Sequence, residues 1–136
     1  MSVGILLITH DNIGSSLLES LQIMFGTEKL PLTIKVLPVR NDVDRDAFNY
    51  HAEQLFNGLN EGQGVLVLTD LFGATPCNIA GYLIKRCRVR VISGVNFPML
   101  VKVITYPKDD LDSLANKALS GGCQGILDVN NLLNSN

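Results

Sequence analysis

Val3 to Gly26 reads VGILLITHDNIGSSLLESLQIMFG. Its opening, VGILLIT, is a nearly unbroken run of Leu and β-branched residues. A strand with one wet face would alternate, so this run marks a strand covered on both faces. Beyond His10-Asp11-Asn12 the period changes. Ile13, Leu17, Leu18, Leu21, Met24 and Phe25 form one stripe of an amphipathic helix, which Gly26 stops. A doubly covered strand followed at once by a one-faced helix is the building unit of a parallel α/β sheet.

The unit recurs along the chain. Leu32 to Val39 (LTIKVLPV) reads as a shorter strand, with Pro38 pointing to a sheet edge or a strand end. Phe48, Ala52, Leu55, Phe56 and Leu59 make a second helical stripe, closed by NEGQG. Gly64 to Thr69 (GVLVLT) is another all-apolar strand. The turn-rich LFGATP follows, then a helix from Cys77 to Lys85 and a fourth strand, Val89 to Ser93 (VRVIS). Residues 97 to 105 are apolar and fit either a helix or a strand. Asp109 to Leu119 reads as a last helix ended by Gly121 and Gly122, Gly125 to Val129 (GILDV) as a fifth strand, and NNLLNSN as a frayed end. The fold class is therefore α/β: a doubly wound, mostly parallel sheet.

Composition narrows the function classes. The 136 residues suit one domain, and 46% of them are apolar, which excludes a disordered chain. Only 18% are charged, against roughly 25% in ordinary soluble domains. A net charge of -2 argues against a nucleic-acid partner, which calls for a basic excess. No apolar run reaches spanning length, and the N-terminus lacks the basic start and the cleavage site of a signal peptide. Three cysteines, Cys77, Cys87 and Cys123, without CxxC spacing, suit reduced thiols and a cytoplasmic location.

Right-handed crossovers with the first strand near the middle give the order 2-1-3-4. The chain then leaves strands one and three in opposite directions, opening a crevice at their C-terminal ends. His10 and Asp70 stand there, with Gly94 and Asn96 just past the fourth strand. A lone strand-end histidine is an ordinary structural residue; a carboxylate beside it changes its chemistry. Asp70 would fix the tautomer through one ring nitrogen, leave the other as a nucleophile, and stabilise the charge that develops on attack. In Gly73-Ala74-Thr75-Pro76, Thr75 is suited to cap a helix and Pro76 to begin it. Such a helix start aims free N–H groups at an anion in the crevice. A second helix starting near Asn12 would add donors.

Other chemistries lack their signatures: there is no GxxxxGK[ST], GxSxG or HExxH, and two histidines without clustered cysteines make a poor metal set. His51 reads as a helix-surface residue, and Asp11 and Asp42 as caps. Asp44, Arg45 and Asp46 read as a solvated first turn, Lys85, Arg86, Arg88 and Arg90 as a solvated edge, and the cysteines as packing residues.

Taken together, His10, TDLFGATPCNIA (Thr69 to Ala80) and SGVNFPML (Ser93 to Leu100) resemble the IIA domain of the mannose-type sugar phosphotransferase system (PTS) over nearly the whole chain. The resemblance implies residues 1–130 as one such domain with 131–136 as a tail. It implies His10 as the residue that accepts a phosphoryl group from the phosphocarrier protein HPr and passes it to a IIB component. That component phosphorylates sugar entering through a IIC/IID membrane permease. Asp70 matches the family's orienting aspartate, Thr75 its hydroxyl donor, and Gly94 to Met99 its GVN-x-PM segment. Gly73, Ala74 and Asn12 join Thr75 as phosphoryl-binding positions, and no metal or other cofactor is required. The resemblance further implies a homodimer in which a C-terminal strand, here Gly125 to Val129, is added to the partner's sheet. No fused IIB segment follows, so the acceptor is expected on another polypeptide.

The sequence departs from the family in three places. Asp11 stands where glycine is frequent, Ala74 replaces a second glycine, and Cys77 replaces an aromatic residue. Two further roles share the phosphohistidine, namely a regulatory module read out by a binding partner and the phosphoryl donor of a dihydroxyacetone kinase. GVNFPML favours the sugar family over the latter. A two-component receiver would need an acidic pair after the first strand and a lysine after a fifth strand, whereas this chain offers His10-Asp11 and no lysine beyond residue 117.

Overall fold

The computed structural model describes residues 1–40, 44–86 and 88–134. Four strands, β1 (Gly4–His10), β2 (Ile34–Val39), β3 (Val65–Thr69) and β4 (Val89–Ser93), form a parallel sheet in the order β2-β1-β3-β4. Helices α1 (Ile13–Phe25), α2 (Arg45–Leu59) and α3 (Thr75–Leu83) connect successive strands. Then α4 (Phe97–Ile104), α5 (Leu111–Gln124) and the short α6 (Val129–Leu133) complete the chain. Asp42 and Cys87, assigned above to a cap and to packing, lie outside the described residues.

Both faces of the sheet are covered, as the apolar runs require. Ile5 to Ile8 and Val65 to Leu68 are fully buried. Odd positions of β1 and even positions of β3 pack with α1, α4 and α5, whereas Leu6, Ile8, Val65 and Val67 pack with α2 and α3. Each such Leu or Ile contributes about 1.5–3 kcal/mol by leaving water. Pro38 sits in β2, an edge strand, opposite Thr9. Gly26 closes α1 at φ 69°, with its N–H on Ile23 O at 3.1 Å and that of Thr27 on Gln22 O at 3.1 Å. Only a residue that tolerates the left-handed region makes this ending without strain.

The structure resolves or corrects several expectations. The ambiguous 97–105 stretch is α4. Asn96 caps it by accepting from Met99 N–H at 2.9 Å and, through Nδ2, donates to Gly122 O at 3.1 Å. The last helix does not stop at Gly121-Gly122 but runs to Gln124, because both glycines are buried against α4. A Cβ on Gly121 would lie 2.5 Å from Lys102 Cβ. The pair is a close-packing device, not a hinge. Gly125 to Val129 is not a strand. Residues 126–128 have no regular structure, and Asp128 caps α6 by accepting from Asn131 N–H at 3.3 Å. Gly125 is pressed against Pro98 of α4. A swapped strand is thus absent from this chain's own sheet. The helix α6 straddles the expected domain end at residue 130.

The basic cluster is partly paired: Arg86 bonds Glu53, and Arg90 bonds Asp112 at 2.8 Å. Such exposed pairs contribute about 0–1 kcal/mol each. His51 is exposed on α2. No helix among the described residues is long and apolar enough to cross a membrane. Because the Gly121 contact is with side-chain and helix atoms that cannot retreat, Gly121→Val is expected to cost about 2 kcal/mol or more, read as a lower urea midpoint at unchanged m-value.

Candidate active site

The sheet ladder itself brings His10 and Asp70 together. Along β1, alternate N–H groups face the two neighbours: Gly4 N–H reaches Gly64 O on the β3 side, whereas Asp11 N–H reaches Val39 O on the β2 side, both at 3.0 Å. His10 N–H therefore points toward β3, past the end of that strand's regular pairing. Its acceptor is a side chain, Asp70 Oδ2, at 3.1 Å. The same oxygen lies 2.8 Å from His10 Nδ1. One carboxylate oxygen thus holds both the backbone and the ring of the histidine.

This geometry sets the protonation states. Burial, the largest single influence, pushes the Asp70 carboxyl upward. The hydrogen bonds from the His10 ring, from His10 N–H and from its own backbone, with the His10 charge, outweigh it and leave the carboxyl below its ordinary value of 3.8. An ionised carboxylate only accepts, so Nδ1 carries the proton and Nε2 keeps its lone pair. The His10 side chain is 32% exposed and that of Asp70 only 11%, so a ligand can reach the ring while the aspartate stays shielded. The pair is equipped to accept a group at Nε2 and to steady the resulting cation.

The other expected site positions lie at the starts of α1 and α3, the helices that follow β1 and β3. Thr75 is not the cap of α3. Ala74 occupies the cap position with no side-chain bond, Thr75 is the first helical residue, and Pro76 the second. The turn places the cap one residue early because Gly73, at φ 82°, already redirects the chain. The Thr75 hydroxyl is consequently not spent on capping. Asn12 precedes α1 but makes no side-chain cap bond. Instead Thr9 Oγ1 accepts from Gly14 N–H at 2.8 Å and fastens that helix to the sheet. Asp11, expected as a cap, instead sits at φ 41° beside His10, with its side chain exposed. Neither Thr75 nor Asn12 hydrogen-bonds His10 or Asp70. Asn96 is committed to the α4–α5 contact described above and does not serve the crevice.

Comparison with known proteins identifies the assembly. Residues 4–119 match the EIIA-man family model, described as the PTS system fructose IIA component. The chain belongs to this family. It is 30% identical over 129 residues to the mannose-specific EIIAB component of Escherichia coli (strain K12), covering 93% of this chain and 39% of that protein. It thus spans about two fifths of that relative's length. The PTS fructose-specific EIIA component of Bacillus subtilis (strain 168) is 28% identical over 124 residues, covering 87% of this chain and 82% of that one. Among solved structures, the PTS IIA protein associated with the fucose utilization operon of Streptococcus pneumoniae superposes with a TM-score of 0.78. It is 27% identical and covers 98% of this chain and 100% of that one.

Two residues of this EIIA-man chain escaped the sequence reading: Thr69 and Ser93, buried hydroxyls at the ends of β3 and β4. Polar residues closing all-apolar strands were their only signal. The Asp70 linkage gives a pH prediction. A carboxyl whose folded pKa is depressed contributes stability that is complete above the unfolded value and is lost as pH falls through the folded one. The stability advantage of wild type over Asp70→Asn is therefore expected to shrink as pH drops below 3.8, measured by urea unfolding at each pH.

Proposed function

We propose that this chain is a cytoplasmic phosphoryl carrier of a sugar phosphotransferase system, accepting phosphate from HPr on His10 and passing it to a IIB component. The observation that carries the reading is the 2.8 Å contact between His10 Nδ1 and Asp70 Oδ2 in a chain of this family. His10 Nε2 attacks the phosphorus of the donor's phosphohistidine. The new N–P bond forms as the donor's N–P bond breaks, and the donor imidazole leaves with its electron pair. The Nδ1 proton stays in place, so the ring becomes cationic and Asp70 offsets that charge. Onward transfer to IIB is the reverse reaction with a different partner, and the sugar then receives the group at the permease.

Thr75, the amides of Gly73 and Ala74 and those near Asn12 are assigned to the phosphoryl oxygens. Positioning and electrostatics supply most of the rate in such transfers. Large exposed apolar side chains, Ile13, Leu71 and Phe72, rim the His10 end of the sheet and suit a protein donor and a protein acceptor. With labelled phosphocarrier, His10→Ala is expected to take up no label, and Asp70→Asn to be slowed by about 10²-fold or more. The wild-type bond should be acid-labile and base-stable. Undiminished labelling of His10→Ala overturns the proposal.

The carrier is further proposed to act as a homodimer. Ile126, Leu127, Val129 and Leu133 are 58–78% exposed on the segment after α5, an apolar display that a second copy would cover. Light scattering is expected to give twice the 14.8 kDa chain mass for the wild type and the single-chain mass for an Ile126→Asp/Leu127→Asp variant.

A further inference from the structure

The site described so far uses one oxygen of Asp70. The other, Oδ1, is buried and has no hydrogen-bond partner among the described residues, and the same holds for Thr69 Oγ1 and Ser93 Oγ. Thr69 is the residue before Asp70, its side chain fully buried, and it is the register partner of Ser93 across β3 and β4. Strand alternation sets Thr69 with Val65 and Val67, and Ser93 with Val89 and Val91, on the α2–α3 face of the sheet. His10 follows Leu6 and Ile8 on that same face. The obvious backbone acceptor at this level, Thr69 O, already takes two bonds, from Gly94 N–H and Val95 N–H, both at 2.9 Å.

Two buried hydroxyls and a buried carboxylate oxygen therefore belong to neighbouring residues at adjacent strand ends. An ionised oxygen without donors is the costliest of the three to leave unmade. A buried water makes about three hydrogen bonds, the number these three polar atoms could supply. We infer that Thr69 and Ser93 are positioning residues whose hydroxyls, through one shared water, hold the second oxygen of Asp70. The water donates to Oδ1 and to one hydroxyl and accepts from the other. With Oδ1 anchored, the carboxylate cannot turn about its terminal bond. Oδ2 stays aligned on both His10 N–H and the His10 ring, so the imidazole presents Nε2 in one orientation.

The inference rests on His10 as the phosphoryl acceptor, and the test separates the two. Phosphoryl transfer from the phosphocarrier is measured in Ser93→Ala, in Thr69→Val/Ser93→Ala, and in the hydroxyl-keeping Ser93→Thr and Thr69→Ser. The double variant is expected to lose about tenfold in kcat with KM for the phosphocarrier unchanged, since both hydroxyl oxygens are buried away from a docked protein. The hydroxyl-keeping variants should stay within about twofold of wild type. In the unphosphorylated protein, the downfield His10 Nδ1–H proton resonance should shift or broaden when the hydroxyls are removed and persist when they are kept. A double variant with wild-type kcat and resonance overturns the inference, as does equal loss in the hydroxyl-keeping variants, which would mark the positions as packing alone. Should Thr69→Val not fold, the Ser93→Ala and Ser93→Thr pair decides by the same criteria. A wild type that takes no label on His10 overturns the carrier reading, while the resonance still judges the hydroxyls.

Discussion

Parallel pairing of β1 with β3 is the constraint on which the rest of this structure depends. Parallel strands cannot be joined by a hairpin, so each needs a crossover, and the crossovers must cover both faces. Because the chain leaves β1 toward β2 and β3 toward β4, the two strand ends open between diverging connections. The register Ile8 with Thr69 then puts the next residues of both strands side by side. At that point the backbone ladder runs out, and a carboxylate takes the hydrogen bond that a carbonyl would have taken. His10 is held because the sheet ends there.

The chemistry follows from how few polar groups share that end. The His10 ring reaches solvent, its aspartate does not, and Asp11 and the apolar rim are the exposed neighbours. Low exposure raises the cost of ionising Asp70, and hydrogen bonds from His10 offset it. The result is an acceptor-only partner that dictates the tautomer. The positions proposed to hold the phosphoryl group are backbone amides and small side chains, Gly73, Ala74 and Thr75, in a turn with a positive φ at Gly73.

Much of the fold and the central pair were legible in the sequence, for a physical reason in each case. Doubly buried strands write themselves as unbroken apolar runs, and one-faced helices as stripes. A polar residue ending such a run, as His10 and Asp70 do, lies at the C-terminal end of the strands, where the doubly covered interior stops. Illegible parts depended on contacts between distant segments. Gly121 and Gly122 look like a helix stop until the close approach of α4 explains them. Thr75 looks like a cap until Gly73 shifts the turn by one residue. Asn96, placed in the crevice by its position, is drawn away by Gly122 O across 26 residues.

The sequence by itself determined the element order as far as β4, the α/β class, the strand order and the meeting of His10 with Asp70. Periodicity and crossover handedness are local or topological rules that leave few alternatives. Only the tertiary structure decided that Oδ2 grips His10 twice, that Nε2 is the free nitrogen and that the Thr69 and Ser93 hydroxyls are buried without a partner among the described residues. It also decided that the stretch after α5 is no strand of its own sheet. Those outcomes turn on ångström-scale register and on which groups lose water together, and no single stretch of sequence encodes either.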